Sequence, residues 1–334
     1  MNFFKHKAIW LVGIFFAVIL GVTVLFFFIG EATPASQIAW GVNFSAQHAE
    51  KLGLDPRETY LALLDDLEVK RVKIAADWDI LEPEDAAFDF EELDWHIAEA
   101  EKRGVSVLFV AGMKTPRWPE CKIPRWLQES AKERRQEETR ELLSAIVQRY
   151  KNSAAIWGWQ VENEALFPFG ECPPPDKDFL REEAALVKQL DSSRPVVVSD
   201  TGEWSLWFEA ARSGDIVGTT LYRKVWFKNL GLYVSYPLPT VFYARKARLV
   251  KKLFGKRVIN VELQAEPWGP VLLYDLPREE QEKTMNLARF RNVIDFAKRT
   301  GFDEFYLWGA EWWYWLKTQG DDSIWEEARD LFER

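Results

Sequence analysis

The sequence predicts an α/β fold, a (β/α)8 barrel preceded by one N-terminal transmembrane helix. Three observations carry this. Residues 8–30 form an unbroken apolar run, eight short β-rich runs alternate with longer amphipathic helical runs after it, and no Gly-rich phosphate loop follows the first strand.

The apolar run is long enough to cross a hydrocarbon core of roughly 30 Å at about 1.5 Å per residue, and longer than the apolar part of a cleaved signal peptide. Lys5 and Lys7 precede it and orient the N-terminus to the cytoplasm by the positive-inside rule. The small residues at 32–36 offer a cleavage site, in which case the remainder is secreted. The expected domains are a cytoplasmic stub with its anchor over 1–30 and one extracytoplasmic barrel over 37–334.

The eight strands read as 38–44, 71–76, 105–111, 155–161, 195–199, 216–221, 257–262 and 304–308. Helices are expected over 57–67, 90–103, 133–150, 178–190, 240–253 and 279–299, with a closing helix over 323–332. An eightfold alternation over about 300 residues favours a closed barrel over an open doubly wound sheet. Gly41-Val42-Asn43-Phe44 lacks the spacing of a dinucleotide fingerprint, so no cofactor is expected.

Composition excludes several function classes. The net charge is −9 and no basic stripe is interleaved with aromatics, so nucleic acid is not an expected partner. The three His and two Cys fall at no metal-ligand spacing, and no metal is expected. Cys121 and Cys172 can pair if their loops share one end of the fold; two free thiols are the alternative. Seventeen Trp exceed what packing usually recruits. A cleft stacking sugar rings is the favoured reason, and a Trp-rich core the other. A monomer is expected.

In such a barrel, catalytic groups sit at the C-terminal ends of strands. The fourth strand runs Trp157-Gly158-Trp159-Gln160-Val161 into Glu162-Asn163-Glu164, and the seventh runs Val258-Ile259-Asn260-Val261 into Glu262. Carboxylates on these two strands face each other across the mouth. Cleavage of a glycosidic bond with retention needs such a pair, one to protonate the leaving oxygen and one to attack the anomeric carbon.

With those runs, with Val261-Glu262-Leu263-Gln264 and with Phe305-Tyr306-Leu307-Trp308-Gly309, the chain resembles the large clan of retaining glycoside hydrolases whose catalytic Glu residues lie on strands four and seven. That clan holds many cellulases, mannanases and β-galactosidases. Trp78-Asp79-Ile80-Leu81-Glu82-Pro83 resembles the Trp-x-x-x-Glu-Pro stretch of its β-galactosidase-like members. The resemblance implies Glu164 as acid/base and Glu262 as nucleophile, Asn163 on the sugar 2-hydroxyl, Tyr222 hydrogen-bonded to the nucleophile, and Trp308 as the floor of the reacting subsite. Lys73 and Trp78 join the expected substrate contacts. Lys73 stands where many members carry Arg, a point charge in place of a bidentate fork; Arg71, two residues earlier, is the alternative. Strand three ends in Ala111-Gly112-Met113 without His, and Thr220-Leu221-Tyr222 replaces the His-x-Tyr of some members, which argues against a cellulase-type specificity.

Rival carboxylates are Glu266 for the nucleophile and Glu162 for the acid. Asp200, Glu311, Trp312 and Trp313 lie where substrate contacts or a charged and aromatic rim are expected. The function expected is a retaining glycoside hydrolase acting on a β-linked oligo- or polysaccharide. A non-catalytic carbohydrate-binding barrel, a structural envelope protein and a transglycosylase using the same two Glu are the alternatives.

Overall fold

The computed structural model describes residues 2–333; the side chains of 2–9, 11 and 12 lie outside the described residues. Eight parallel strands close a barrel in chain order: β1 Ala39–Phe44, β2 Arg71–Ala75, β3 Ser106–Ala111, β4 Ile156–Val161, β5 Val196–Asp200, β6 Ile216–Leu221, β7 Arg257–Gln264 and β8 Glu304–Trp308. β8 pairs with β1 to complete the ring. Every strand keeps within two residues of its sequence reading. The largest difference is β7, which runs on to Gln264, so Glu262 stands inside the strand instead of ending it.

Helices between the strands bury apolar stripes against the outside of the ring. Each starts or stops where local chemistry dictates. Asp176 accepts from the backbone N–H of Asp178 and Phe179 to open helix Lys177–Leu190, and Gly255 at φ 71° closes helix Thr240–Phe254. The expected helix over 279–299 is broken into Arg278–Gln281 and Leu287–Lys298. Thr284 accepts from Trp268 N–H at 2.9 Å and Asn286 caps the second piece, so their side chains compete with helix continuity and tie the break to the loop after β7. A hairpin, Lys224–Phe227 with Leu232–Ser235, extends the loop after β6.

The lower barrel interior is apolar, built on Leu108, Val197, Ile259, Val261 and Tyr306. Its upper layer is polar, with Asn43, Lys73, Gln160 and Gln264 buried. That change marks the mouth as the working end.

Six Trp, at 78, 159, 207, 312, 313 and 325, are among the fully buried side chains. The Trp excess therefore serves the core to a larger extent than the cleft. Trp312 donates to Gln281 Oε1 and Trp313 to Ala265 O, so neither forms the rim or the substrate contact expected of them.

At the N-terminus a helix runs over Asn2–Phe28. Its last turn rests on the barrel: Phe27 and Phe28 pack on Phe242, and Arg245 donates to Leu25 O at 3.0 Å. From Ile14 to Phe28 most of its large apolar side chains are exposed. Among the described residues no helix is long and apolar enough to cross a membrane; the fully described part of this one begins at Gly13, and the orienting Lys5 and Lys7 lie outside it.

Candidate active site

Glu262 is 3% exposed and held from two sides. Lys73 Nζ, on β2, stands 3.0 Å from Oε1, and the Tyr222 hydroxyl donates to Oε2 at 2.9 Å. Burial pulls the Lys73 ammonium below its usual range, with Glu262 opposing. Burial, then the Glu262 charge, pushes the Tyr222 phenol well above its usual range, so it stays a donor. Lys73 reaches Glu262 from beneath and also donates to Val261 O. It is a partner of the carboxylate more than the substrate contact expected.

Glu164 follows β4 in a left-handed backbone conformation, φ 44°. Its N–H donates to Ser199 Oγ at 2.9 Å, and its Oε1 accepts from the Thr220 hydroxyl at 2.8 Å. Burial, then the charges of Glu262 and Glu120, pushes this carboxyl well above the carboxylate range, with Thr220 opposing. Glu164 therefore keeps its proton while Thr220 occupies one oxygen. Asn163 Oδ1 accepts from Gln160 Nε2 at 3.0 Å, which fixes the amide, and its NH2 is turned to the Glu120 carboxyl.

The rivals are occupied elsewhere. Glu162 accepts from Met113 N–H and Lys114 N–H at 2.7 and 2.6 Å, beside buried Glu183 on an outer helix. Gly112, at φ 140°, makes room for it: a Cβ there would come within 2.5 Å of Glu162 Oε1. Glu266 pairs with Arg117 and lies 3.5 Å from His48. Burial pushes its carboxyl up, but Arg117 and His48 outweigh this and hold it at about 2. Arg117 also donates to Glu311 at 3.2 Å and stacks 4.0 Å over the Trp308 ring, so one face of the expected sugar platform is already covered.

Other expectations are corrected. Trp78 is fully buried and its indole N–H donates to Glu82 Oε2 at 2.7 Å, which makes it a core residue away from the cleft. Arg71 pairs with Glu304 at the opposite end of the barrel and cannot stand in for Lys73. Asp200 is buried and bonded to Ser205 and Thr201 N–H, and Glu311 is buried beneath Arg117.

Four participants escaped sequence reasoning: Thr220, Lys114, Arg117 and Glu120. Lys114 donates to the carbonyls of Glu164 and Phe167, at 3.1 and 2.8 Å, and so supports the strand-four corner. Glu120 lies in the loop after β3, where burial pushes it up to about 7, Lys114 pulls it down and Glu262 pushes it up. Its one sequence signal is Cys121 beside it. That cysteine is bonded to Cys172, joining the loops after β3 and β4 at the mouth. An aromatic row, Trp118, Phe169, Trp268 and Tyr222, crosses the same side. A cavity of about 100 Å³ lined by Asn43, Lys73, Asp77, Arg117 and Trp308 adjoins the site towards β1 and β2, and neither Glu164 nor Glu262 is in its lining.

A buried carboxyl and a cation-held carboxylate near the ends of strands four and seven of a (β/α)8 barrel form an arrangement that can cleave a glycosidic bond. The comparisons point the same way. The family model Glyco_hydro_42, described as beta-galactosidase, matches residues 55–179. No curated protein sequence matches the chain. Among solved structures it is similar in fold to a polyextremophilic beta-galactosidase from the Antarctic haloarchaeon Halorubrum lacusprofundi, at 16% identity and TM-score 0.55, over 81% of this chain and 52% of that one. An exo-beta-1,4-mannosidase from Opitutaceae bacterium strain TAV5 gives TM-score 0.58 at 15% identity, over 83% and 53%. Xylanase 10B from Thermotoga petrophila gives 0.56 at 15%, over 82% of each chain. The chain spans about half the length of the beta-galactosidase first named. The family match covers the segment from the first outer helices to just past β4, and the neighbours share the (β/α)8 fold.

Proposed function

We propose that the chain is a retaining β-glycosidase working by double displacement. The observation that carries this reading is the contrast between the two carboxyls: Glu262 holds a cation and a phenol donor, while burial and the Glu262 charge keep Glu164 protonated. Glu262 attacks the anomeric carbon, the glycosidic C–O bond breaks, and the Glu164 proton passes to the leaving oxygen. Water then attacks the same carbon, Glu164 takes its proton, and the glycosyl ester to Glu262 breaks. The Asn163 amide faces the sugar 2-hydroxyl, a contact that strengthens in the oxocarbenium-like transition state. No metal or organic cofactor has a step in this scheme. The matched family and the neighbours' names favour a β-linked oligo- or polysaccharide.

The same reading places the barrel outside the cytoplasmic membrane as a monomer, held by the apolar N-terminal run 8–30 with Lys5 and Lys7 on the cytoplasmic side. Protease protection in spheroplasts, with loss of protection for the barrel but not for the first residues, tests that orientation.

The catalytic reading is tested by incubating the protein with a panel of 2-deoxy-2-fluoro glycosyl fluorides and mapping any modified peptide by mass spectrometry. A glycosyl adduct on Glu262 is expected and names the sugar. An adduct on Glu266 moves the nucleophile, and no adduct across a broad panel favours a sugar-binding barrel without catalysis.

A further inference from the structure

The cleft holds a third carboxylate that double displacement does not use. Glu120 is 7% exposed, and its backbone sits at φ 75°, a conformation that a non-glycine residue adopts only where its surroundings enforce it. The enforcement comes from two loops. Glu120 N–H donates to Arg117 O at 2.8 Å, Thr115 N–H donates to Glu120 O at 2.9 Å, and Glu171 N–H donates to Pro119 O at 2.9 Å. Gly170, from the loop after β4, packs so closely that a Cβ there would come within 2.6 Å of the Glu120 Cβ. The Cys121–Cys172 bond fastens the next position.

All this holds in place a side chain with one oxygen beside Asn163 and the other left over. Glu120 Oε2 is buried without a hydrogen-bond partner. The nearby Lys114 ammonium is directed at two backbone carbonyls. Buried carboxylate oxygens are rarely left unpaired, and such a group calls for a partner that arrives from outside. The groups that feel Glu120 are those of the cleft: Asn163 lies beside its carboxyl, and its charge acts on Glu164 and Lys73.

We propose that Glu120 is a specificity-determining residue of the reacting subsite, accepting a hydrogen bond from a sugar hydroxyl next to the one that faces Asn163. The inference rests on the glycosidase reading above. It also sets the substrate class. Glu120 acts by charge together with Glu262 on Glu164, and the inward ammonium, Lys73, is already paired with Glu262. A ring carrying a carboxylate or sulfate near Glu120 is repelled, so the sugar bound there is neutral and hydroxylated.

The experiment uses the full chain in detergent and the aryl β-glycoside that the wild type hydrolyses fastest, together with its 3-, 4- and 6-deoxy analogues. Glu120→Gln and Glu120→Ala are expected to lower kcat/KM for the parent glycoside by about 10- to 100-fold. One deoxy analogue is expected to be a poor substrate for the wild type by a similar factor, while both variants treat it and the parent alike. A purely structural role slows every substrate by one common factor, so an unchanged parent-to-deoxy ratio in both variants overturns the proposal. Absence of hydrolysis by the wild type on every glycoside overturns the glycosidase reading itself and is recognised before any variant is made.

Discussion

Lys73 and Glu262 form a fully buried ion pair, 3.0 Å between Nζ and Oε1, linking the second strand of the barrel to the seventh. Removing one partner of such a pair strands the other's charge. Lys73→Met is expected to lower kcat/KM on an aryl β-glycoside by about 10²-fold or more, the scale seen when one preorganised electrostatic partner is lost. Steady-state kinetics on protein whose circular dichroism matches the wild type checks this, and an activity within twofold of wild type would remove Lys73 from the site.

Protonation of the leaving group should matter in proportion to how poor that group is. Glu164→Ala is expected to slow hydrolysis of an alkyl glycoside by about 10²- to 10⁴-fold, and to slow glycosylation by a dinitrophenyl glycoside far less. A comparison of the two substrates under single-turnover conditions decides it; equal losses on both would count against Glu164 as the acid.

The Thr220 hydroxyl donates to the ionised form of Glu164 and so holds its pKa down, against burial and the Glu262 charge, which hold it up. Thr220→Val withdraws that donor. Glu164 then stays protonated to higher pH, and the alkaline limb of kcat/KM against pH moves upward. A downward shift of that limb would assign the limb to another group.

Arg117 neutralises two buried carboxylates, Glu266 and Glu311, and covers a face of Trp308. Arg117→Ala is expected to destabilise the fold by about 3 to 5 kcal/mol, since both charges lose their partner. Glu266 in the folded protein is held at about 2, below its ordinary value. Its contribution to stability is therefore complete above about pH 4.5 and is lost as the pH falls towards 2. Chemical denaturation across that range should find this acid loss reduced in the variant.

Closing a loop with a sequence separation of 51 residues makes the Cys121–Cys172 bond worth about 4 kcal/mol by chain entropy. Reduction by dithiothreitol is expected to lower the melting temperature, and to raise KM because the bond fastens both loops beside Glu120. Unchanged melting after reduction, with both thiols verified by alkylation, would contradict the pairing.

The barrel was legible because each strand is a compact β-rich run and each helix a longer amphipathic one, and those periods survive local irregularity. The hairpin after β6 was not, because its two four-residue strands carry only a short mixed pattern around Gly231. Composition misled on tryptophan: the count of seventeen says nothing about which way each ring faces, and Trp78, Trp312 and Trp313 face inward. In the site, Glu164, Asn163 and Glu262 were legible from the strand ends, while Tyr222 and Lys73, which both contact Glu262, came from the family resemblance. Glu120 and Arg117 could not, since their partners come from other loops, and nothing along the chain near Pro116 or Cys121 announces Glu164, Glu266 or Trp308.

Glu120, Glu162 and Glu164 all hold left-handed backbone conformations within one corner of the molecule, where glycine would rest with less strain. Directed evolution for heat resistance alone will therefore find glycine attractive at these three positions. A winner with glycine at 164 would lack the proposed acid and one at 120 the proposed sugar contact, so any thermostabilisation campaign on this scaffold has to select on turnover as well as on melting.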